Sequence, residues 1–127
     1  MKIIGIGVDI VNNERIKKVI KNKNFIKRIY SDSEIKDSKK KQNKVNFFAK
    51  RFAAKEAFVK SLGTGLREKI NLKDISIINN KLGKPYFLIN KKIKNIIKKK
   101  FRVNSFNFFL SISDEKKYSI AFVIFQK

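Results

Sequence analysis

Two acids occupy positions where a carboxylate is expensive. In residues 3–10, IIGIGVDI, side chains alternate: Ile4, Ile6, Val8 and Ile10 point one way, and Ile3, Gly5, Gly7 and Asp9 the other. Asp9 thus ends a strand face stripped by two glycines, where another backbone or a ligand can come close. In residues 45–62, Val45, Phe48, Ala49, Phe52, Ala53, Val59 and Leu62 recur at three- and four-residue steps and form one helical stripe. Glu56 falls on that stripe, four residues after Phe52 and three before Val59. A carboxylate on an apolar face needs something to compensate its charge. Each acid also has an ordinary alternative. Asp9 can cap the first turn of the next helix, and Glu56 can pair with Lys60 one turn on, a contact worth roughly a few tenths of a kcal/mol.

The chain contains neither Cys nor His. That excludes a Ser-His-Asp triad, a Cys-His pair, disulfides and the usual zinc sites. Two sparse acids without those partners suit an oxygen-ligated Mg²⁺, which takes one or two carboxylates and leaves its other positions to water and phosphates. Lys55 and Lys60 flank Glu56, and Gly63-Thr64-Gly65 follows. Basic side chains beside a glycine loop suit a diphosphate bound by lysines and backbone N–H groups. The loop follows a helix C-terminus, so the helix dipole does not assist. Gly5-Ile6-Gly7 is no dinucleotide fingerprint, because its third glycine would fall on Ile10.

These residues need a scaffold. After the strand at 3–10, Asn12 or Asn13 caps a helix with Ile16, Val19 and Ile20 at helical spacing. A short segment, FIKRIY, follows, and Ser31 with Glu34 forms a capping box opening another helix. The tract 38–44 reads as a solvated helix end or loop. The helix at 45–62 ends on Gly63 as its C-cap. Strands at 75–79 and 86–89 flank a glycine-containing turn, a hairpin. A Lys-rich amphipathic helix at 91–100 and strands at 106–112 and 118–125 complete the chain. The expected fold class is α+β, a mainly antiparallel sheet packed by helices in a single domain, 1–127.

With 127 residues, 43 % hydrophobic and twelve Phe, the chain has the composition of one folded domain. No apolar run approaches the roughly 20 residues that span a bilayer. The N-terminal stretch, broken by glycines and Asp9, is no signal peptide, so a cytoplasmic location is expected and no membrane partner. Lys and Arg number 32 against 10 acids, a net charge of +22. That charge attracts an anionic partner; drift of surface positions toward Lys in an A/T-rich genome is the alternative. Binding to nucleic acid is disfavoured, because most Phe residues lie at core periodicities and no RNA-recognition motif is present.

Four segments, GIGVDIVNNERI at 5–16, RFAAKEAFVKSLGTGL at 51–66, LGKPYF at 82–87 and LSISDEKKYSIAFV at 110–123, resemble the holo-[acyl-carrier-protein] synthases, in that family's order and spacing. The resemblance implies the 4'-phosphopantetheinyl transferase fold. It also implies Mg²⁺-dependent transfer of 4'-phosphopantetheine from coenzyme A to a serine of apo-acyl carrier protein, with release of adenosine 3',5'-bisphosphate, in support of fatty acid biosynthesis. The family's metal ligands correspond to Asp9 and Glu56. Lys60, Gly63 and Thr64 match coenzyme A contacts, with Lys60 also placed at the reacting phosphate, and Arg15 matches a residue that meets the acidic carrier. Many members carry a His where this chain has Asp114, so a histidine role there is absent.

Lys18 and Lys21 extend the carrier surface by helix geometry alone, at three-residue steps from Arg15. The resemblance further implies a homotrimer with sites between subunits. An oligomer is expected independently: Phe106, Phe108, Leu110 and Ile112 oppose Phe109, and the last strand is apolar on both faces, Ile120, Phe122 and Ile124 against Ala121, Val123 and Phe125. A sheet with one solvated face should alternate apolar and polar; packing against other subunits would cover both faces, and a sheet sandwiched within one chain is the alternative.

Overall fold

The computed structural model describes residues 1–63 and 66–127. Thr64, and with it the centre of the expected glycine loop, lies outside the described residues. The chain begins with strand β1 (Ile3–Asn12) and passes through three short helices, α1 (Asn13–Val19), α2 (Lys23–Ile29) and α3 (Asp32–Ser38). The long helix α4 (Lys44–Ser61) follows, then two 3-10 turns, Arg67–Lys69 and Leu72–Asp74. Hairpin strands β2 (Ile75–Asn79) and β3 (Pro85–Ile89), helix α5 (Lys91–Phe101) and strands β4 (Asn107–Asp114) and β5 (Tyr118–Gln126) complete it. The α+β class expected from the sequence holds, but the strands form two antiparallel sheets: β1-β5-β4, and β2-β3.

Local chemistry explains most helix starts. Asparagine oxygens cap four helices: Asn12 accepts from the Glu14 N–H, Asn22 from Asn24, Asn43 from Asn46 and Asn90 from Ile93. Ser31 and Glu34 close a full capping box on α3. Helix α4 ends at Gly63, whose φ of 79° is the left-handed conformation that favours glycine.

The central packing event is the seating of α4 directly on β1. A Cβ built on Gly5 would stand 2.0 Å from the Ser61 carbonyl oxygen, and one on Gly7 would stand 2.0 Å from that of Ala57. Two residues along a strand advance about 6.6 Å and four along a helix about 6 Å. The two glycines therefore meet two successive turns of the helix in register. The stripped face of β1 is the inward face, and the apolar face carrying Ile6, Val8 and Ile10 is exposed.

Helix α4 is consequently not a one-stripe helix. Phe47, Phe48, Ala49, Ala53, Ala54, Ala57, Phe58 and Val59 are all buried, covering most of its circumference, because the three-stranded sheet lies on one side and α3 and the hairpin on the other. A phenylalanine chain joins the two sheets through it: Phe87 to Phe58 at 4.9 Å, Phe58 to Phe108 at 4.3 Å, and Phe108 stacked on Phe125 at 4.7 Å.

Lys55, expected beside the phosphate site, is instead fully buried at 0 % exposure and pairs at 2.6 Å with Glu34, itself 1 % exposed. Its ammonium also donates to the carbonyls of Leu72, at 2.9 Å, and Ile75. Glu34 in turn accepts from the N–H groups of Ser31 and Ile77. Burial pushes the Lys55 ammonium down from its ordinary value, and Glu34 opposes that shift. One ion pair thereby ties together α3, α4, the second 3-10 turn and β2. The correction has a simple cause: Lys55 and Glu56 are adjacent on a helix, so their side chains diverge by about 100°, and only one can face the cavity.

The seating of α4 on β1 generates a test. Gly7→Val should destabilise the fold by about 3 kcal/mol or more, because the clash is with helix backbone rather than a movable side chain. Val8→Ala, on the exposed face of the same strand, should change the isolated chain by about 0.5 kcal/mol or less. Urea denaturation of both variants measures the difference.

Candidate active site

At the end of the glycine-lined strand face, Asp9 meets the flank of α4 that carries Glu56 and Lys60. Both acids line one cavity of about 380 Å³, together with Arg15 and Ile16 of α1, Phe25 of α2 and Phe52 of α4. The geometry follows from the elements. The glycine contacts set β1 against α4, the four-residue spacing puts Glu56 and Lys60 on one flank of the helix, and Asn13 fixes the start of α1. Asn13 is buried: its amide donates to the carbonyls of Glu115 (2.9 Å) and Lys116 (3.1 Å), and its oxygen accepts from the Ser119 hydroxyl. This clamp between α1 and the β4–β5 turn holds Arg15 at the cavity mouth, and no periodicity in the sequence signals it.

Each acid has drawn a cation. The Lys60 ammonium donates to Asp9 Oδ1 at 2.9 Å and to the Val8 carbonyl at 3.1 Å. The Arg67 guanidinium donates to Glu56 Oε1 at 2.8 Å. Neither ordinary alternative is realised: Asp9 does not cap α1, where Asn12 does that work, and Lys60 pairs with Asp9 rather than with Glu56. Burial pushes the Glu56 carboxyl up from its ordinary value; Arg67 opposes this, and the Asp9 charge adds to it. The two carboxylates thus repel each other across a partly desolvated space.

That repulsion is a test of whether the residues suit a hard divalent cation. Two carboxylates, with side chains 15 % and 17 % exposed, face one water-accessible cavity. The oxygen-only donor set and the open remainder of the cavity fit Mg²⁺. Among the described residues no cluster of three or more His, Cys, Asp or Glu side chains is available to a metal.

The remaining sequence candidates fall as follows. Gly63 lies just past α4, its N–H donating to the Lys60 carbonyl. Lys18 is exposed on α1. Lys21 is exposed but lies beyond the end of α1 at Val19, in the turn before α2, so the expected three-residue series does not run along one helix. The Ile20 C-cap ends the helix there. Asp114 accepts from the Asn46 amide at 2.8 Å, tying the end of β4 to the start of α4. Arg67 was not singled out by its spacing; it reaches Glu56 because the chain folds back after α4.

Among the described residues, no helix is long and apolar enough to cross a membrane. The model of the 4'-phosphopantetheinyl transferase superfamily matches residues 5–123. The chain is 66 % identical over 127 residues to the holo-[acyl-carrier-protein] synthase of Pelagibacter ubique (strain HTCC1062), with 100 % of this chain and 99 % of the relative covered. Its fold matches the crystal structure of the Neisseria meningitidis holo-[acyl-carrier-protein] synthase with a TM-score of 0.88 at 37 % identity, covering 99 % of this chain and 100 % of the other. It also matches the Helicobacter pylori holo-[acyl-carrier-protein] synthase, solved in complex with coenzyme A, with a TM-score of 0.77 at 32 % identity and 95 % and 99 % coverage. With an acid pair on a cavity between the first strand and the long helix, and relatives of matching length and fold, the chain belongs to the holo-[acyl-carrier-protein] synthases of the 4'-phosphopantetheinyl transferase superfamily.

Proposed function

We propose that this enzyme moves 4'-phosphopantetheine from coenzyme A to a serine of apo-acyl carrier protein, with Mg²⁺ as cofactor and adenosine 3',5'-bisphosphate as the leaving product, in the cytoplasm and in support of fatty acid biosynthesis. The observation that carries this reading is the convergence of Asp9 and Glu56 on one cavity, with Lys60 bonded to Asp9. The coenzyme A bound by the Helicobacter pylori relative supports the substrate.

The carrier serine Oγ attacks the β-phosphorus of coenzyme A. The new Oγ–P bond forms as the bridging P–O bond breaks, the serine proton passes to water in the open cavity, and the electron pair leaves with the adenosine bisphosphate. Asp9 and Glu56 would hold Mg²⁺, which when bound neutralises charge on the diphosphate. Lys60 adds a fixed positive charge where negative charge builds on the leaving oxygen. Its stem is anchored on α4, and its ammonium already sits at the cavity edge through Val8 and Asp9. Gly63 and Thr64 contribute to coenzyme A binding in this reading. Arg15, with Lys18 and Lys21 beyond it, presents positive charge to the acidic carrier.

The enzyme works as a homotrimer in this reading, the number three being implied by family resemblance. The exposed sheet face supports assembly. Three cross-strand rows run across it: Ile6–Ile124–Phe109, Val8–Phe122–Ser111 and Ile10–Ile120–Ser113. Ile6, Val8, Ile10, Phe109, Ile120 and Phe122 are all exposed in the isolated chain. A contiguous apolar patch of this kind marks an interaction surface.

Three outcomes are expected. Asp9→Ala and Glu56→Ala should each lower the rate of carrier loading by about a hundredfold or more with the fold retained; full activity of either in EDTA would refute the metal role. Arg15→Glu should raise KM for carrier protein roughly tenfold while leaving that for coenzyme A nearly unchanged, measured by steady-state kinetics with each substrate varied. Light scattering should give roughly three times the 14.9 kDa chain mass.

A further inference from the structure

Arg67 lies in the 3-10 turn Arg67–Lys69, which no side-chain cap secures. Its side chain is 52 % exposed, yet its guanidinium is bonded to Glu56, which is only 17 % exposed. Lys60 makes the equivalent contact to Asp9. These four side chains carry two negative and two positive formal charges and balance one another without a metal, with Arg15 a further positive charge on the cavity. A divalent cation entering between Asp9 and Glu56 meets an oxygen already held by a guanidinium, and two cations on one carboxylate repel. With the metal added, the four side chains and the ion sum to +2. A diphosphate, bringing −2 in its two bridged phosphates, restores neutrality.

We propose that Arg67 is the resident counter-ion of Glu56, displaced by the divalent metal and then taken up by the diphosphate of the substrate, so that metal and diphosphate bind cooperatively. The cooperativity is reciprocal by linkage: whatever factor the diphosphate adds to metal affinity, the metal adds to diphosphate affinity. Half exposure and a turn without a capping bond leave the Arg67 side chain free to change partner. Lys60, held by a second bond to the Val8 carbonyl, is the less mobile of the two cations. The proposal rests on Asp9 and Glu56 being the metal ligands.

The experiment is Mn²⁺ binding followed by EPR on the full chain, with and without coenzyme A, against a blank of Mn²⁺ and coenzyme A alone. The variants are Arg67→Gln and, as a control, Lys69→Gln, which removes the same charge from the same turn; among the described residues Lys69 has no bond to Glu56. Arg67→Gln should bind Mn²⁺ alone about fivefold more tightly, the upper range of an exposed ion pair, and should lose about the same factor from the tightening that coenzyme A causes. Lys69→Gln should do neither. Unchanged or weaker Mn²⁺ binding by Arg67→Gln, or an equal gain in Lys69→Gln, overturns the proposal. If Asp9→Ala and Glu56→Ala leave Mn²⁺ binding intact, the cation sits elsewhere and the assignment of the metal ligands falls with it. If those variants lose Mn²⁺ and Arg67→Gln changes nothing, only the counter-ion role falls.

Discussion

The contact of Gly5 and Gly7 with the backbone of α4 governs the rest of the molecule. Any side chain on that strand face would hold the helix away by the thickness of at least a methyl group, since even a Cβ would overlap the Ser61 and Ala57 carbonyl oxygens. Close seating brings the helix flank bearing Glu56 and Lys60 against the end of β1, where Asp9 stands. It also decides which face of the three-stranded sheet is buried. With the glycine face inward, Ile6, Val8 and Ile10 of β1 are turned out beside Ile120, Phe122 and Phe109. The placing of Asp9 on the cavity and an apolar outer surface are two results of one packing choice.

The second constraint is electrostatic. The long helix carries neighbouring charges, about 100° apart around its axis, with opposite fates. Lys55 is buried against Glu34, and the pair's two carbonyl and two N–H partners fix α3, α4 and the hairpin relative to one another. Such a buried pair contributes little net stability, yet removing one partner leaves an unpaired charge at a cost of about 3–5 kcal/mol. Its role here is to specify geometry. One position along, Glu56 faces a cavity that water enters, and its partner Arg67 comes from a turn. One pair is locked and the other exchangeable, and the difference lies in burial rather than residue type.

The phenylalanines carry the apolar work that the stripped strand face cannot. Phe58, Phe87, Phe108 and Phe125 link the hairpin, the long helix and the three-stranded sheet in one continuous contact path. These four rings are committed to the interior and the sheet-to-helix contacts rather than to the surface.

The chain of 127 residues determined by itself what depends on near neighbours. The strand at 75–79 shows in its own isoleucine-rich run, and the Ser31–Glu34 capping box, the stop of α4 before Gly63 and the Asn cap of α1 emerge because their interactions span four residues or fewer. Asp9 and Glu56 stood out because a carboxylate at an apolar position is costly wherever the chain folds. Tertiary structure alone decided which cation each acid holds, since Lys60 reaches Asp9 across 51 residues and Arg67 reaches Glu56 across 11. It likewise decided that the apolar face of β1 faces outward and that Lys55 is buried. Alternation records that two faces of a strand differ, but which one turns inward depends on how closely a helix approaches, and that distance is set by backbone meeting backbone.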